Sequence, residues 1–118
     1  MLESVYLCNL KDKEHGKAME TMLKQFGIDI AYIEDGGVKL EDYISGYYKS
    51  TNTPLSFEDE MIIFHDFIDE QIELVLDVFK MAEIPYIKYK VVTTEANLKY
   101  NVNELYEKVK EEYRSRFE

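Results

Sequence analysis

The chain has 118 residues and a formal net charge of −10, from 24 acidic and 14 basic side chains. That length sets one domain with a single core, and 46% apolar with 32% charged residues is the balance of a globular fold. The acidity argues against nucleic acid and anionic membrane surfaces, which are bound through basic side chains, and leaves a protein or small ligand as the expected contact.

Val5 to Leu10 is apolar except for Asn9, the pattern of a strand buried on both faces. From Asp12 to Phe26 the apolar residues Met19, Met22, Leu23 and Phe26 recur at helical spacing, with His15 and Ala18 extending the stripe. Gly27 is placed to stop that helix in a left-handed conformation, and Ile28 to Ile33 reads as a second strand. Glu34-Asp35-Gly36-Gly37 is a turn by composition. Leu40, Tyr43, Ile44 and Tyr47 then predict a helix over Lys39 to Tyr48. Ser50-Thr51-Asn52-Thr53-Pro54 reads as a linker.

The pattern then repeats. Met61 to Phe64 is a strand, and Asp69 to Ala82 is a helix with Ile72, Val75, Leu76 and Phe79 on one stripe. Leu74, Val78 and Met81 lie beside that stripe. The broader apolar face predicts that this helix is more buried than the first. Ile84-Pro85 ends it. Tyr86 to Val92 alternates, with Lys88 and Lys90 on one side, as expected of an edge strand. Asn101 and Glu104 form a capping-box pair for the last helix, flanked by Tyr100 and Leu105 as a staple. Loss of that cap should cost about 1 kcal/mol.

Val5–Leu10 aligns with Ile62–Phe67 at a constant offset, and Gly27-Ile28 meets Glu83-Ile84 with a slip of one. The chain therefore reads as two βαβα pseudo-repeats in a single domain, 1–49 and 61–118, joined by a linker at 50–60. The expected fold is α+β: a four-stranded, ferredoxin-like sheet of two split βαβ units, with the equivalent first and third strands at its centre. A doubly wound parallel α/β sheet is the alternative.

No run of about 18 apolar residues occurs, so no membrane-spanning helix is expected. Met1-Leu2-Glu3-Ser4 lacks the features of a signal peptide, and Glu118 is read as ending the chain without a tail. The single cysteine, Cys8, sits in an apolar run and reads as a small buried hydrophobe in a cytoplasmic setting. Dinucleotide and phosphate-loop motifs and a nucleophile elbow are missing. His65, at a strand end equivalent to that of Cys8, could meet Cys8 across neighbouring central strands. With His15, Asp66 and Asp69 it could in principle assemble a metal site, but no ligand spacing supports one, and neither metal nor cofactor is expected. Asn9 and Asp66 read as turn or cap formers. Tyr43, Tyr47, Tyr48 and Leu55–Phe57 are candidates for a surface of self-association or partner contact.

Met61-Ile62-Ile63-Phe64-His65-Asp66-Phe67-Ile68-Asp69-Glu70-Gln71, then Glu83-Ile84-Pro85, Thr94-Glu95-Ala96-Asn97 and Tyr100-Asn101-Val102 with Glu104-Leu105, resemble a bacterial domain family of unknown function, DUF3783, over about residues 60–112. The first half resembles the divergent N-terminal partner that often precedes that domain. Ile68 stands where the family has a capping hydroxyl residue, Glu83 where it has glycine, Glu95 where it has proline, Ala96 where it has threonine and Tyr100 where it has tryptophan. Thr94 and Asn97 are what remains of the family's loop motif. The resemblance implies a bacterial, cytoplasmic protein with no established activity. The expected role is a non-enzymatic binding or regulatory module. The alternative is a small enzyme or metal-binding protein, and His65, Asp66, Thr94 and Asn97 are the candidate ligand contacts.

Overall fold

A computed structural model describes residues 3–117. Met1, Leu2 and Glu118, which carry part of the reading of the two termini, lie outside the described residues. In chain order the elements are β1 (Ser4–Cys8), α1 (Glu14–Gln25), β2 (Asp29–Ile33), α2 (Leu40–Ser45), β3 (Met61–His65), α3 (Asp69–Met81), β4 (Tyr89–Val92) and α4 (Val102–Phe117), with a 3-10 turn at Asn97–Lys99.

The four strands form one open mixed sheet in the order β2-β1-β3-β4. The expected α+β sheet is present, with β1 and β3 at its centre and β4 at an edge. β1 pairs with β2 and β3 with β4 in parallel, while β1 and β3 run antiparallel. Each βαβ unit is unsplit: its two strands are neighbours, with no strand inserted between them. The all-parallel alternative fails at the connection between the halves. Residues 34–60 stay at the end of the sheet where β2 stops, folded through α2 and fastened there, and do not return the chain to the other end. β3 therefore starts at the end where β2 stops, Met61 pairing with Cys8.

Central position explains the composition of β1 and β3. Val5, Leu7, Ile62 and Phe64 face Met19 and Leu23 of α1 and Val75 and Phe79 of α3. Tyr6, Cys8, Met61 and Ile63 face the other way, onto Leu40 of α2 and Val102, Leu105 and Tyr106 of α4. The sheet is thus a middle layer between two helical layers. α1 closes tightly on its own entry turn, because a Cβ on Gly16 would lie 2.0 Å from the Leu10 carbonyl oxygen. Backbone geometry recurs between the halves: Asn9 and Asp66 both have φ 62°, Gly27 has φ 73° and Glu83 φ 60°.

Three helix and strand expectations change. α2 stops at Gly46, whose φ of 79° caps it in the left-handed region, so Tyr47 and Tyr48 are outside the helix. β4 begins only at Tyr89, because Ile87 turns toward the α1/α3 layer while Tyr89 and Val91 pack toward α4. α3 is no more buried than α1: Val75 and Phe79 are its buried residues, against Gly16, Met19 and Leu23 in α1. A helix lying on a sheet covers only one arc of its circumference, and the adjacent row is left outside. Leu74 is 56% exposed and Met81 83% exposed.

Candidate functional site

The four residues singled out from the sequence fall at one end of the sheet, where β3 and β4 terminate. The His65 ring nitrogen Nδ1 lies 2.8 Å from the Thr93 hydroxyl, and Nε2 lies 3.5 Å from the Asp66 carboxylate. Thr94 and Asn97 bind each other. The Thr94 amide donates to Asn97 Oδ1 at 2.8 Å, the Asn97 amide donates to Thr94 Oγ1 at 3.1 Å, and Asn97 Nδ2 donates to the Val92 carbonyl at 3.0 Å. Thr94 and Asn97 also line a cleft of about 340 Å³ against Tyr100, Leu105 and Lys108 of the α4 layer; His65 and Asp66 are not part of its lining. Thr93, which joins the two pairs, was missed because the resemblance begins one residue later.

Cys8 and His65 do not meet. The register sets Cys8 opposite Met61 and Ser4 opposite His65, four residues apart along the strands, about 13 Å. Antiparallel pairing is the cause, since it sends the C-terminal ends of β1 and β3 to opposite edges of the molecule. Burial pushes the Cys8 thiol up to about 12, which makes it a packing residue with negligible thiolate at neutral pH. His15 is at the far end as well, its Nε2 2.7 Å from Glu60, which Lys13 also contacts at 2.7 Å. Among the described residues no three His, Cys, Asp or Glu side chains converge on a point that could hold a metal.

At that far end, the C-terminal ends of the parallel strands β1 and β2 border a cleft of about 590 Å³ lined by Asn9, Lys11, Lys13, Tyr32, Glu34 and Phe57 among others. Strand ends of this kind commonly hold ligands. Here the cations are matched: Lys11 pairs with Glu34 at 3.1 Å and Lys13 with Glu60. One wall comes from the segment 50–60, which reads from the sequence as a linker and is instead fastened along its length. Asn9 Nδ2 donates to the carbonyls of Phe57 and Asp59 at 3.0 and 2.9 Å. Asn103 accepts from the Ser56 amide at 2.8 Å and donates to the Pro54 carbonyl at 3.2 Å. Tyr106 donates to the Asp59 carboxylate and stacks on Phe57 with ring centroids 3.9 Å apart. The Asp35 carboxylate accepts from the Thr51 hydroxyl, the Thr51 and Gly37 amides and the Ser50 hydroxyl. Those bonds, the Thr51 hydroxyl first, hold it well below the usual carboxylate range. Asn9 is therefore both a left-handed turn residue and a clamp.

Part of the tyrosine-rich surface expected around this segment is consumed by it, while Tyr47 and Tyr48 remain exposed. Phe57 is buried, Leu55 packs against the core, and the Tyr43 hydroxyl donates to the Asp35 carbonyl at 2.6 Å. Exposed aliphatic and aromatic side chains also lie on the opposite layer. Phe26 at the end of α1 is 53% exposed and stands across a groove of about 180 Å³ from Leu74, with Ile28 and Phe67 in its floor. Met81 and Val78 continue the Leu74 row along α3 at spacings of seven and four residues. Glu70, Glu73 and Asp77 are exposed beside that row.

These features define a small layered α+β domain with an open mixed sheet, two strand-end clefts and one apolar helical groove. Residues 60–115, from the residue before β3 into α4, match the model of a family described as a domain of unknown function, DUF3783. The resemblance read from the second half of the sequence is therefore present, and it spans β3, α3, β4 and most of α4. No curated protein and no solved structure matches the chain. No helix among the described residues is long and apolar enough to cross a membrane.

Proposed function

We propose that the protein is a non-enzymatic binding module whose partner is a protein segment with one apolar and one cationic face. The observation that carries this reading is the exposed row of Leu74 and Met81 on α3, facing Phe26 and flanked by Glu70, Glu73 and Asp77. Contiguous exposed apolar surface marks interaction sites, and an amphipathic helix docks through anchors spaced by three, four and seven residues. Net charge selects the occupant. Two copies at −10 each repel, whereas a basic segment is drawn to the acidic rim.

The test is fluorescence anisotropy with a synthetic Leu/Lys amphipathic helical peptide. Leu74→Ser and Met81→Ser change no charge and remove exposed side chains. The pair should weaken binding by about tenfold, and a peptide of the same composition without the amphipathic order should not bind. Equal binding by the double variant would remove the reading. Light scattering checks the occupant: a dimer dispersed by the same substitutions would mean that the surface covers a second copy.

A small-ligand site at the ends of β3 and β4 is the second reading, supported by the half-buried His65–Thr93 pair beside the cleft lined by Thr94 and Asn97. In this reading His65, Asp66, Thr94 and Asn97 contact a small molecule or a metal. Mass spectrometry of the purified protein under native conditions would reveal it as a bound mass. A bacterial cytoplasmic setting and an origin by internal duplication belong to the same proposal. The matching left-handed residues Asn9 and Asp66 and the pair Gly27 and Glu83 support the duplication.

A further inference from the structure

We propose that the groove between β4 and the C-terminal half of α4 binds a small anion carrying a planar aromatic ring, of the nucleoside phosphate class. It is about 250 Å³ in volume, and among the described residues its lining holds Lys90 and Arg116, beside Lys88, with Glu112 as the carboxylate. A surplus of cations is unusual in a chain of net charge −10. The same lining is aromatic, with Tyr86, Tyr89, Tyr113 and Phe117.

The rings and cations are organised together. Lys90 Nζ lies 4.1 Å from the Tyr86 ring centroid, and Lys88 Nζ lies 4.7 Å from that of Tyr113 and 5.2 Å from that of Tyr89. Tyr113 leans on Phe117 at 4.7 Å between centroids and meets Tyr89 edge-on at 5.5 Å. Tyr86 is 77% exposed and Phe117 67% exposed, so two aromatic surfaces remain open to a third ring. Among the described residues neither Lys90 nor Arg116 is in an ion pair.

Each part of the ligand follows from one part of the groove. A planar ring stacks on exposed aromatic faces, as bases do in single-strand binders. A phosphate takes the guanidinium of Arg116 in a bidentate pair, and the Lys90 ammonium, which also donates to the Ile87 carbonyl at 2.5 Å, adds a point charge. Glu112 is an acceptor for a sugar hydroxyl or a ring N–H of the same molecule. A polynucleotide is disfavoured, because its charge would extend beyond the groove over an acidic surface. The site is separate from the α1/α3 groove, so either proposal can fail alone.

The experiment is isothermal titration with ADP in metal-free buffer, with adenosine and inorganic pyrophosphate as its two halves. ADP should bind with Kd below about 1 mM, and each half at least about tenfold more weakly. Arg116→Glu and Tyr86→Ala alter exposed side chains, and each should weaken ADP about tenfold while leaving the far-UV circular dichroism unchanged. Leu74→Ser should leave ADP binding unaltered. The proposal is overturned if ADP shows no heat at about 5 mM, or if both variants bind it as well as the parent. It is equally overturned if pyrophosphate alone matches ADP or if a short single-stranded oligonucleotide binds more tightly than ADP.

Discussion

Glu83 is the residue whose backbone and side chain most plainly disagree. It closes α3 with φ 60°, in the region where glycine is preferred. The equivalent stop after α1 uses Gly27 at φ 73°. Glu83 is exposed, and among the described residues its side chain makes no hydrogen bond or ion pair that would offset its left-handed strain. Glu83→Gly is expected to stabilise the fold by roughly 0.5–1 kcal/mol, read as a rise in the urea midpoint with an unchanged slope. The family resemblance puts glycine at this position, so the substitution restores the local rule. The sequence had flagged Glu83 as a departure, but a backbone dihedral is not visible in a side chain. Asn9 was similarly half legible. Its type announces a turn, while its bonds to Phe57 and Asp59 depend on where a distant segment comes to lie.

Helix boundaries were most legible where the cap is local in sequence. Asn101 accepts from the Glu104 amide at 2.8 Å, and Glu104 accepts from the Asn101 amide at 2.9 Å, the reciprocal pair that the spacing implies. α3 has only half of that arrangement. Gln71 Oε1 accepts from the Ile68 amide at 2.9 Å, but Ile68 has no side-chain oxygen to return to the first turn. Ile68 is also 61% exposed, so little packing would be lost on replacing it. Ile68→Ser should complete the box and stabilise α3 by about 1 kcal/mol, seen as slower amide exchange across its first turn. The burial of α3 was misjudged for a different reason. Periodicity locates an apolar face but not the width of the surface that meets it, and Leu74 and Met81 belong to the part of the face that nothing in this chain covers.

At the scale of the whole molecule, the number of strands and the central pair were legible because β1 and β3 are apolar on both sides. Their relative direction was not, since it depends on a connection whose length and fastening no single residue reports. That direction sent Cys8 and His65 to opposite poles, while the parallel pairing of β3 with β4 kept His65, Asp66, Thr94 and Asn97 at one. It also means that every contact across the midline of the sheet is between residues from different halves, Val5 with Phe64, Tyr6 with Ile63, Leu7 with Ile62. The segment 46–60 connects the two halves, and its exposed start at Tyr47 and Lys49 precedes its first bond to Asp35, from Ser50. The two halves therefore form a latent heterodimer joined by a tether. Fragments 1–48 and 49–118 made separately should each be poorly folded and, when mixed, should co-elute as a one-to-one complex with the circular dichroism of the intact chain. Two fragments that stay apart would show the tether itself to be indispensable.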